Sequence, residues 1–224
     1  MTLPHAPSHA PSYAIIAGGD SRAFPPGDPF LAGAVPSEQA EVLIFLAGAP
    51  FRSDPARTAI LIELGCECLG VHTGEAAGEE GSNVLGLARW RNGADPPSPL
   101  VELVRQPRSA DGAIAAARDV LASAGLTVVV VADQAGRIVD RLLRPKLNAA
   151  LRFLDEGLAS AHDMDVTCRL GLGYPEGPIE RVQRGGLADH HDVCRALFEI
   201  YGTAAYAPAR RAVVAAQRRA HGVG

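Results

Sequence analysis

The stretch between residues 138 and 154 constrains the fold most, because its large apolar residues recur at helical spacing. Residues three or four apart lie on one face of an α-helix, so the pattern predicts a long amphipathic helix. We expect this helix to run from Ile138 to Glu156 and to end at Gly157. Its apolar positions are Ile138, Leu142, Leu143, Leu147, Leu151 and Leu154.

The rest of the chain after about residue 135 is also predicted to be helical. Ser160 and Asp163 resemble a capping box for a second helix that runs through Leu170. The Gly- and Pro-rich segment Gly171–Pro178 predicts a tight loop. Two further helices are predicted over Asp189–Tyr201 and Pro208–Ala220.

Short apolar runs alternate with helical patterns between residues 13 and 134, and this alternation favours a parallel sheet with right-handed crossovers. One helix is predicted over Ser53–Leu64, with Ser53 as its N-cap. A second is predicted over Asp111–Ala124, ended by Gly125. The predicted strands are Tyr13–Ala17, Ala40–Leu46, Glu67–His72, Asn83–Ala88, Leu100–Val104 and Thr127–Val131.

These patterns divide the chain into a flexible lead-in over residues 1–12, an α/β domain over 13–134 and a helical domain over 135–224. With 224 residues, 47% of them hydrophobic, the chain can bury a sizeable core. It shows neither an apolar run long enough to span a bilayer nor a secretory signal. A net charge of −4 without a basic tract argues against nucleic acid. Four cysteines without a C-x-x-C pair predict buried free thiols and a reducing, cytoplasmic compartment. Because no apolar run could span a bilayer, no membrane partner is expected.

Residues 136–178 read GRIVDRLLRPKLNAALRFLDEGLASAHDMDVTCRLGLGYPEGP. This stretch resembles the opening of the C-terminal helical domain of the 3-hydroxyacyl-CoA dehydrogenases. There, P-G-F-I-V-N-R-L-L leads into a long helix ending E-x-G-x-A, then D-I-D and G-x-G-Y-P-x-G-P. The resemblance implies an oxidoreductase of fatty acid metabolism that moves a hydride between a 3-hydroxyacyl-CoA and NAD. It also implies a dimer, because part of the helical surface forms a dimer interface in that family.

The N-terminal part resembles the later half of the family's nucleotide-binding domain. Glu41–Leu46 matches the strand A-D-L-V-I-E, and Cys66–Gly74 matches the strand before S-N-T-S-S. Val84–Leu87 followed by Ala88 matches V-x-G-L-H-F-F-N-P, and Leu100–Val104 matches the next strand. A shortened Rossmann domain followed by this helical domain is also the second half of double-length bacterial 3-hydroxybutyryl-CoA dehydrogenases. The expected fold class is therefore α/β, a reduced Rossmann-like parallel sheet followed by an all-α domain.

The cofactor site of that family has no counterpart in the sequence motifs. NAD binding needs a strand, a G-x-G-x-x-G turn and a helix N-terminus that hold the pyrophosphate. The only candidate turn is Gly18-Gly19, and it runs into Pro25-Pro26, where proline would disrupt a helix. We expect no cofactor in the isolated chain, although the family uses NAD. No metal site is predicted either, because adjacent residues such as His190-His191 point about 100° apart on a helix.

The family's catalysis uses a His–Glu pair with a Ser and an Asn nearby. The resemblance places the Glu at Glu102, within LVELV. The His position holds Ala88, and the Ser position holds Gly74. The Asn position holds Asp140, whose carboxylate can only accept hydrogen bonds when it is ionised. These changes argue against hydride transfer by the family's mechanism and indicate a pseudoenzyme.

Other side chains could substitute for the lost groups. His72 could act as the base if it points into a cleft, or it could be an ordinary partly buried histidine. Arg89, Trp90 and Arg91 could contact the phosphates or adenine of CoA, or they could be exposed without a ligand.

Three functions remain open from the sequence. The chain could be a dehydrogenase whose missing parts come from a partner chain or from unusual residues. It could be a non-catalytic subunit that binds acyl-CoA or assembles with a full-length dehydrogenase through the helical domain. It could also be a self-associating pseudoenzyme. The partners to test are therefore acyl-CoA, a second copy of the chain, and a full-length dehydrogenase.

Overall fold

The structure, a computed structural model, describes residues 10–75 and 82–223 and divides into two compact units. The first unit holds the residues up to Trp90 together with Pro97–Gln134. The second holds Arg91–Pro96 and the residues from Ala135 onward. The segment Arg91–Pro96, which the sequence assigned to the α/β domain, thus belongs to the helical unit. Most of the predicted flexible lead-in lies outside the described residues.

A six-stranded sheet forms the frame of the first unit, and its strands are neighbours in chain order. Every neighbouring pair is parallel except β4 and β5, which are antiparallel. The predicted fold class is confirmed, with this one departure from a wholly parallel sheet. No helix joins β4 to β5, and antiparallel strands need none, whereas parallel strands need a crossover. The strands are β1 (Tyr13–Ala17), β2 (Val42–Leu46), β3 (Ala59–Glu63), β4 (Val84–Arg89), β5 (Leu100–Arg105) and β6 (Thr127–Ala132).

The core of this unit lies on both faces of the sheet. The central strands β2 and β3 are apolar at successive positions because both of their faces are buried. One face packs on α3 (Asp111–Ser123), through residues such as Val120 and Leu121. Phe24 and Phe30, from the connection that contains α1 (Pro29–Ala32), cover the same face. The TVVVV run of β6, predicted to be buried, is instead a partly exposed edge strand.

The predicted helix over Ser53–Leu64 is wrong. The Asp54 carboxylate accepts the N–H of Ala56 at 3.0 Å, so the capping pattern closes a single turn. The chain then enters β3, where β-branched Ile60 and Ile62 are buried between two neighbouring strands. Burial on both faces of the sheet outweighs the weak helix propensity of this segment.

The predicted strand over Glu67–His72 is also wrong, because this segment forms a turn and the short helix α2 (Gly70–Thr73). The Asp133 carboxylate, just after β6, accepts the N–H groups of Leu69 and Gly70 at 2.7 and 2.9 Å. A carboxylate at the start of a helix satisfies amides that have no partner inside the helix. A side chain distant in sequence therefore determines the conformation here.

The second unit consists of five helices and a 3₁₀ turn. The predicted long helix is confirmed as α4, and its buried face includes Leu143, Leu147 and Leu151. Helix α6, which sequence analysis assigned to no element, follows the Gly-rich loop. Among the described residues, no helix is long and apolar enough to cross a bilayer. The helices are α4 (Ile138–Asp155), α5 (Ala161–Leu172), α6 (Pro178–Gly185), α7 (Leu187–Tyr201) and α8 (Arg210–Ala220).

Helix α4 continues through Pro145 because a distant side chain supplies a missing donor. Proline has no N–H, so the carbonyl of Arg141 loses its hydrogen bond within the helix. The Tyr206 hydroxyl donates to this carbonyl at 3.3 Å. The turn over Ala204–Tyr206 therefore compensates for the proline.

Two glycines in the connection between α5 and α6 are required by its backbone conformation and its close packing. Gly173 ends α5 in the left-handed conformation, at φ 69°. The Asp165 carboxylate then caps α6 by accepting the N–H groups of Ile179 and Glu180, at 2.8 and 3.0 Å. A Cβ on Gly177 would lie 2.2 Å from Asp165 Cγ, so only glycine allows the carboxylate this close.

We predict that Gly177→Ala destabilises the protein, by about 2 kcal/mol or more, because the new methyl group displaces the Asp165 cap. Gly171→Ala is the matched control, since Gly171 is an exposed residue of α5 and a Cβ there would have no atom within 4 Å. Alanine is favoured over glycine in a helix, so this variant should be unchanged or more stable, by up to about 1 kcal/mol. Urea denaturation followed by circular dichroism measures both, and equal stabilities would contradict the packing argument.

Candidate functional site

The carboxyl ends of β1, β2 and β3 lie side by side, and the carboxylate of Glu63 connects them. Its Oε1 accepts the Ser21 hydroxyl at 3.0 Å and the Ala23 N–H at 2.9 Å. Its Oε2 accepts the Ala47 N–H at 2.8 Å. Glu63 ends β3, Ser21 and Ala23 follow β1, and Ala47 follows β2. Sequence analysis missed this role of Glu63, because its partners are distant in the chain.

This edge does not fit a dinucleotide. In open α/β sheets the cofactor lies at a crevice where the strand order reverses, and here the strands follow chain order. The turn at Gly18-Gly19 is followed by a loop, and the four-residue α1 begins only at Pro29. Glu63 places a carboxylate against the backbone N–H groups that follow β1 and β2. A pyrophosphate at this position would meet that negative charge.

The structure brings Glu102 and Ala88 together. They are direct partners in the antiparallel pair of β5 and β4, so their side chains share one face of the sheet about 5 Å apart. Both are buried, with Glu102 4% and Ala88 8% exposed. This is the arrangement that the resemblance implies for the family's Glu and His. At the position opposite Glu102, the side chain of Ala88 offers only a methyl group.

Gly74 does not lie where the family's serine was placed. The matched strand over Cys66–Gly74 does not exist, and Gly74 follows α2 with φ 76°. The strand before this region is β3, so a turn that follows the strand begins after Glu63. The assignment of the serine position to Gly74 is therefore wrong.

His72 packs at the side of the first unit. Its ring meets that of Phe51 edge-on, with centroids 6.3 Å apart. Its Nε2 lies 3.8 Å from the carboxylate of Glu67. Among the described residues, the His72 ring contacts these two side chains and not Glu102. The structure therefore does not connect His72, the candidate substitute base, to the carboxylate of Glu102.

The three residues predicted to contact CoA have internal roles. Arg89 forms a buried ion pair with Asp28 at 2.6 Å and lies over the ring of Phe24 at 5.2 Å. Arg91 donates to the carbonyl of Asp95 at 2.6 Å and so closes its own loop. Trp90 is half-buried and also makes interactions within the protein. Arg89 is therefore not a surface cation, because burial with a carboxylate partner already compensates its charge.

Asp140 begins a buried polar network in the helical unit. Its carboxylate accepts from Arg144 Nε at 2.8 Å, and Arg144 Nη1 lies 3.3 Å from His190 Nδ1. His190 Nε2 in turn lies 2.9 Å from Asn148 Oδ1. Because Arg144 can only donate, His190 Nδ1 accepts and its Nε2–H donates to Asn148. Asp140 thus holds an arginine in place, and its negative charge is paired.

His190 is held neutral in this network. Burial, and then the charge of Arg144, lower its pKa from 6.5 to about 3. Cys194 Sγ lies 3.4 Å from His190 Nε2 and is fully buried. All four cysteines are free, and the other three are half-buried rather than buried. The pair His190-His191 therefore serves the fold, with His191 bonded to the neighbouring Asp192.

An exposed apolar stripe runs along α4, on the side away from its buried leucines. Leu142 is 73% exposed, and Ile138 and Phe153 are about half exposed. Beside Phe153 lies a groove of about 470 Å³ with Lys146 at its edge. The Lys146 ammonium lies 3.6 Å from the ring centroid of Tyr174, and burial lowers its pKa. The sequence could have predicted this stripe, because α4 carries more apolar residues than one buried helix face requires.

Comparison with known proteins agrees with this architecture. Residues 136–222 match the family model for the C-terminal domain of 3-hydroxyacyl-CoA dehydrogenase. The helical part of the chain, residues 136–222, therefore belongs to the family of C-terminal domains of 3-hydroxyacyl-CoA dehydrogenases.

Named relatives share part of their length with the chain. A probable 3-hydroxyacyl-CoA dehydrogenase of Caenorhabditis elegans is 38% identical over 45% of this chain and 31% of its own length. A 3-hydroxybutyryl-CoA dehydrogenase of Mycobacterium tuberculosis is 35% identical over 59% and 46%. The crystal structure of M. tuberculosis FadB2 matches the fold with a TM-score of 0.67, at 24% identity over 82% and 66%. The chain thus spans less than half of the curated relatives it matches.

We predict that His190 makes the stability of the protein depend on pH. The unfolded chain binds a proton near pH 6.5, whereas the native His190 binds one only near pH 3, so stability is lost as the pH falls from 6.5 towards 3. Between pH 7 and 5.5 this group alone should remove about 1.3 kcal/mol from the free energy of unfolding.

Urea denaturation at the two pH values measures the loss. His190→Gln keeps an acceptor and a donor but cannot be protonated, so its loss should be smaller by most of that amount. His162→Gln, at an exposed position, is the control and should behave like the wild type. Equal pH dependence of the wild type and His190→Gln would contradict the assignment.

Proposed function

We propose that this chain is a non-catalytic member of the 3-hydroxyacyl-CoA dehydrogenase family, without an NAD site of its own, that associates through its helical unit. The observation that carries the proposal is Ala88 opposite Glu102 on the sheet. A methyl group can neither take nor give a proton.

Oxidation of a 3-hydroxyacyl thioester requires a base for the hydroxyl proton when the hydride leaves. In the family's arrangement the carboxylate orients and stabilises an imidazole. In this chain Ala88 occupies the position opposite Glu102, so that position supplies no base. His72 contacts Phe51 and Glu67 instead, which supports the absence of a substitute base.

The absence of an NAD site is proposed on separate grounds. The ordered strands give no reversal point, and α1 is a single turn. Without a reversal of strand order the sheet lacks the crevice in which a dinucleotide lies, and without a long helix after β1 it lacks the helix N-terminus that binds the pyrophosphate.

The association surface that we propose is the exposed stripe of α4 together with three leucines in α5 and just before it. Phe153, Leu158 and Leu172 line the same groove, and an exposed apolar surface of this kind marks a contact site. Ile138, Leu142 and Phe153 lie on one face of α4, which suits packing against another helix. We propose that a second copy of the same helical unit binds this surface. The alternative partner is a full-length dehydrogenase in the cytoplasm, with which the chain would bind acyl-CoA. Exposed members of the surface are Ile138, Leu142, Phe153, Leu158, Leu170 and Leu172.

We predict that the purified chain does not oxidise NADH with acetoacetyl-CoA above a blank without protein. Ala88→His should not restore turnover. The added imidazole would face Glu102, but without an NAD site the variant still could not bind the cofactor that carries the hydride. A NADH oxidation assay at 340 nm, with the folded state of the variant checked by circular dichroism, measures both. Turnover of the wild type would overturn the proposed function. Recovered turnover in Ala88→His would refute the proposed absence of an NAD site.

We predict that the chain is a dimer at micromolar concentration and that Leu142→Glu makes it monomeric. A charge in the middle of the stripe must be desolvated when the surface is covered, which opposes association. Light scattering coupled to gel filtration measures the mass. Val71→Glu is the matched control, because Val71 is 71% exposed but lies in the first unit.

The control should remain dimeric. A monomeric wild type would count against a second copy as the occupant, and a mass shift on mixing with a full-length dehydrogenase would then identify the alternative. A dimer unaffected by Leu142→Glu would place the interface elsewhere and refute the proposed surface.

A further inference from the structure

We infer that Glu63 acts as a built-in anion at the carboxyl edge of the sheet. Its carboxylate occupies a cluster of donors that would otherwise attract a phosphate or carboxylate ligand, and it holds the two loops that carry these donors together. This role of Glu63 would explain why the carboxyl edge of the sheet offers no site for an anionic ligand. It does not depend on whether the chain has dehydrogenase activity.

The donors converge from two loops. The Ser21 hydroxyl and the Ala23 N–H reach one carboxylate oxygen, and the Ala47 N–H reaches the other, all within 3.0 Å. Hydrogen bonds to an ionised acceptor are about twice as strong as neutral ones. Backbone N–H groups directed at one point are also the groups that hold anions in nucleotide-binding loops. Here an internal side chain takes the place of the external anion.

The turn after β2 shows that Glu63 stabilises an unfavourable conformation. Ala47 has φ 51°, the only positive value at a non-glycine among the described residues. A left-handed alanine costs roughly 1 kcal/mol and persists only where its surroundings hold it. Its N–H donates to Glu63 at 2.8 Å.

The two loops are also packed directly against each other. A Cβ on Gly18 would lie 2.8 Å from the carbonyl oxygen of Ala47 and 3.0 Å from the nitrogen of Ala49. The Gly18 N–H donates to the carbonyl of Leu46 at 3.0 Å. The turns after β1 and β2 are therefore closed on each other beside the Glu63 carboxylate, and a phosphate would have to displace it to reach the donors.

Replacing the carboxylate with a methyl group should convert the cluster into a site for small anions. Glu63→Ala removes the charge and leaves two backbone donors and a hydroxyl around the space that the carboxylate filled. Formate has the size and charge to enter that space and accept the same hydrogen bonds. Any species that binds the native state alone raises its stability in proportion to its occupancy.

The test is thermal unfolding of Glu63→Ala in potassium formate and in potassium chloride at equal ionic strength. We expect Tm in chloride to fall by about 5–10 °C relative to the wild type, because hydrogen bonds to a charged acceptor are lost. Formate should recover a few degrees of that loss in a concentration-dependent manner. The wild type should show no preference for formate over chloride.

Glu41→Ala is the matched control. Glu41 is an exposed carboxylate that accepts the Ser12 N–H at 3.1 Å, beside the start of β2 rather than its end. Its replacement should cost less stability and give no formate preference. An unchanged Tm for Glu63→Ala, or a formate effect shared by all three proteins, would refute the inference.

A second variant keeps the inference testable if Glu63→Ala does not fold. Glu63→Gln keeps one acceptor but loses the charge, so the loop after β1 should open more often. Arg22 is exposed in that loop, between the two residues that Glu63 holds. Trypsin should then cleave after Arg22 roughly tenfold faster than in the wild type or in Glu41→Gln. Equal cleavage rates, measured by mass spectrometry of the fragments, would contradict the inference.

Discussion

Carboxylates that accept backbone N–H groups hold the irregular parts of this structure in place. Glu63 joins the loops after β1 and β2 to the end of β3. Asp133 fixes the start of α2, and Asp165 fixes the start of α6. A buried backbone donor without a partner is costly, so a chain segment without regular structure must find an acceptor elsewhere. In each case the acceptor is distant in sequence from the donors it serves.

This constraint explains which parts of the fold the sequence could predict. Apolar periodicity predicted the strands Tyr13–Ala17 and Leu100–Val104 and the long helix α4. The structure confirms all three to within one residue at their ends. The predictions for Ser53–Leu64, which contains β3, and for Glu67–His72 were wrong. A single turn at Asp54 resembles a helix cap, and Asp133 imposes α2 from a distance. Periodicity is local, whereas these contacts depend on the tertiary fold.

The sequence predicted one pair of residues in the candidate site correctly and misplaced or missed the others. The motif resemblance placed Glu102 and Ala88 as a pair, and the strand register makes them direct neighbours. It placed the serine at Gly74 incorrectly, because the strand on which that alignment depended is absent. The role of Glu63 could not be deduced, since no local pattern indicates a glutamate whose three donors lie in two loops. The Arg89–Asp28 ion pair was missed for the same reason. The Asp140–Arg144 pair, in contrast, lies four residues apart on α4, and this spacing could have indicated it.

Three residues of the family motif in the helical unit set the geometry of the connection between α5 and α6. Gly173 ends one helix, Gly177 makes room for Asp165, and Pro178 begins the next helix. The matched region, residues 136–222, includes these positions and the apolar stripe of α4, but it excludes Glu102 and Ala88. A match to this region therefore reports a way of packing helices and presenting a surface. A chain can keep that surface while losing the proton-transfer group on its sheet, which is the combination on which the proposed role as an associating, non-catalytic family member depends.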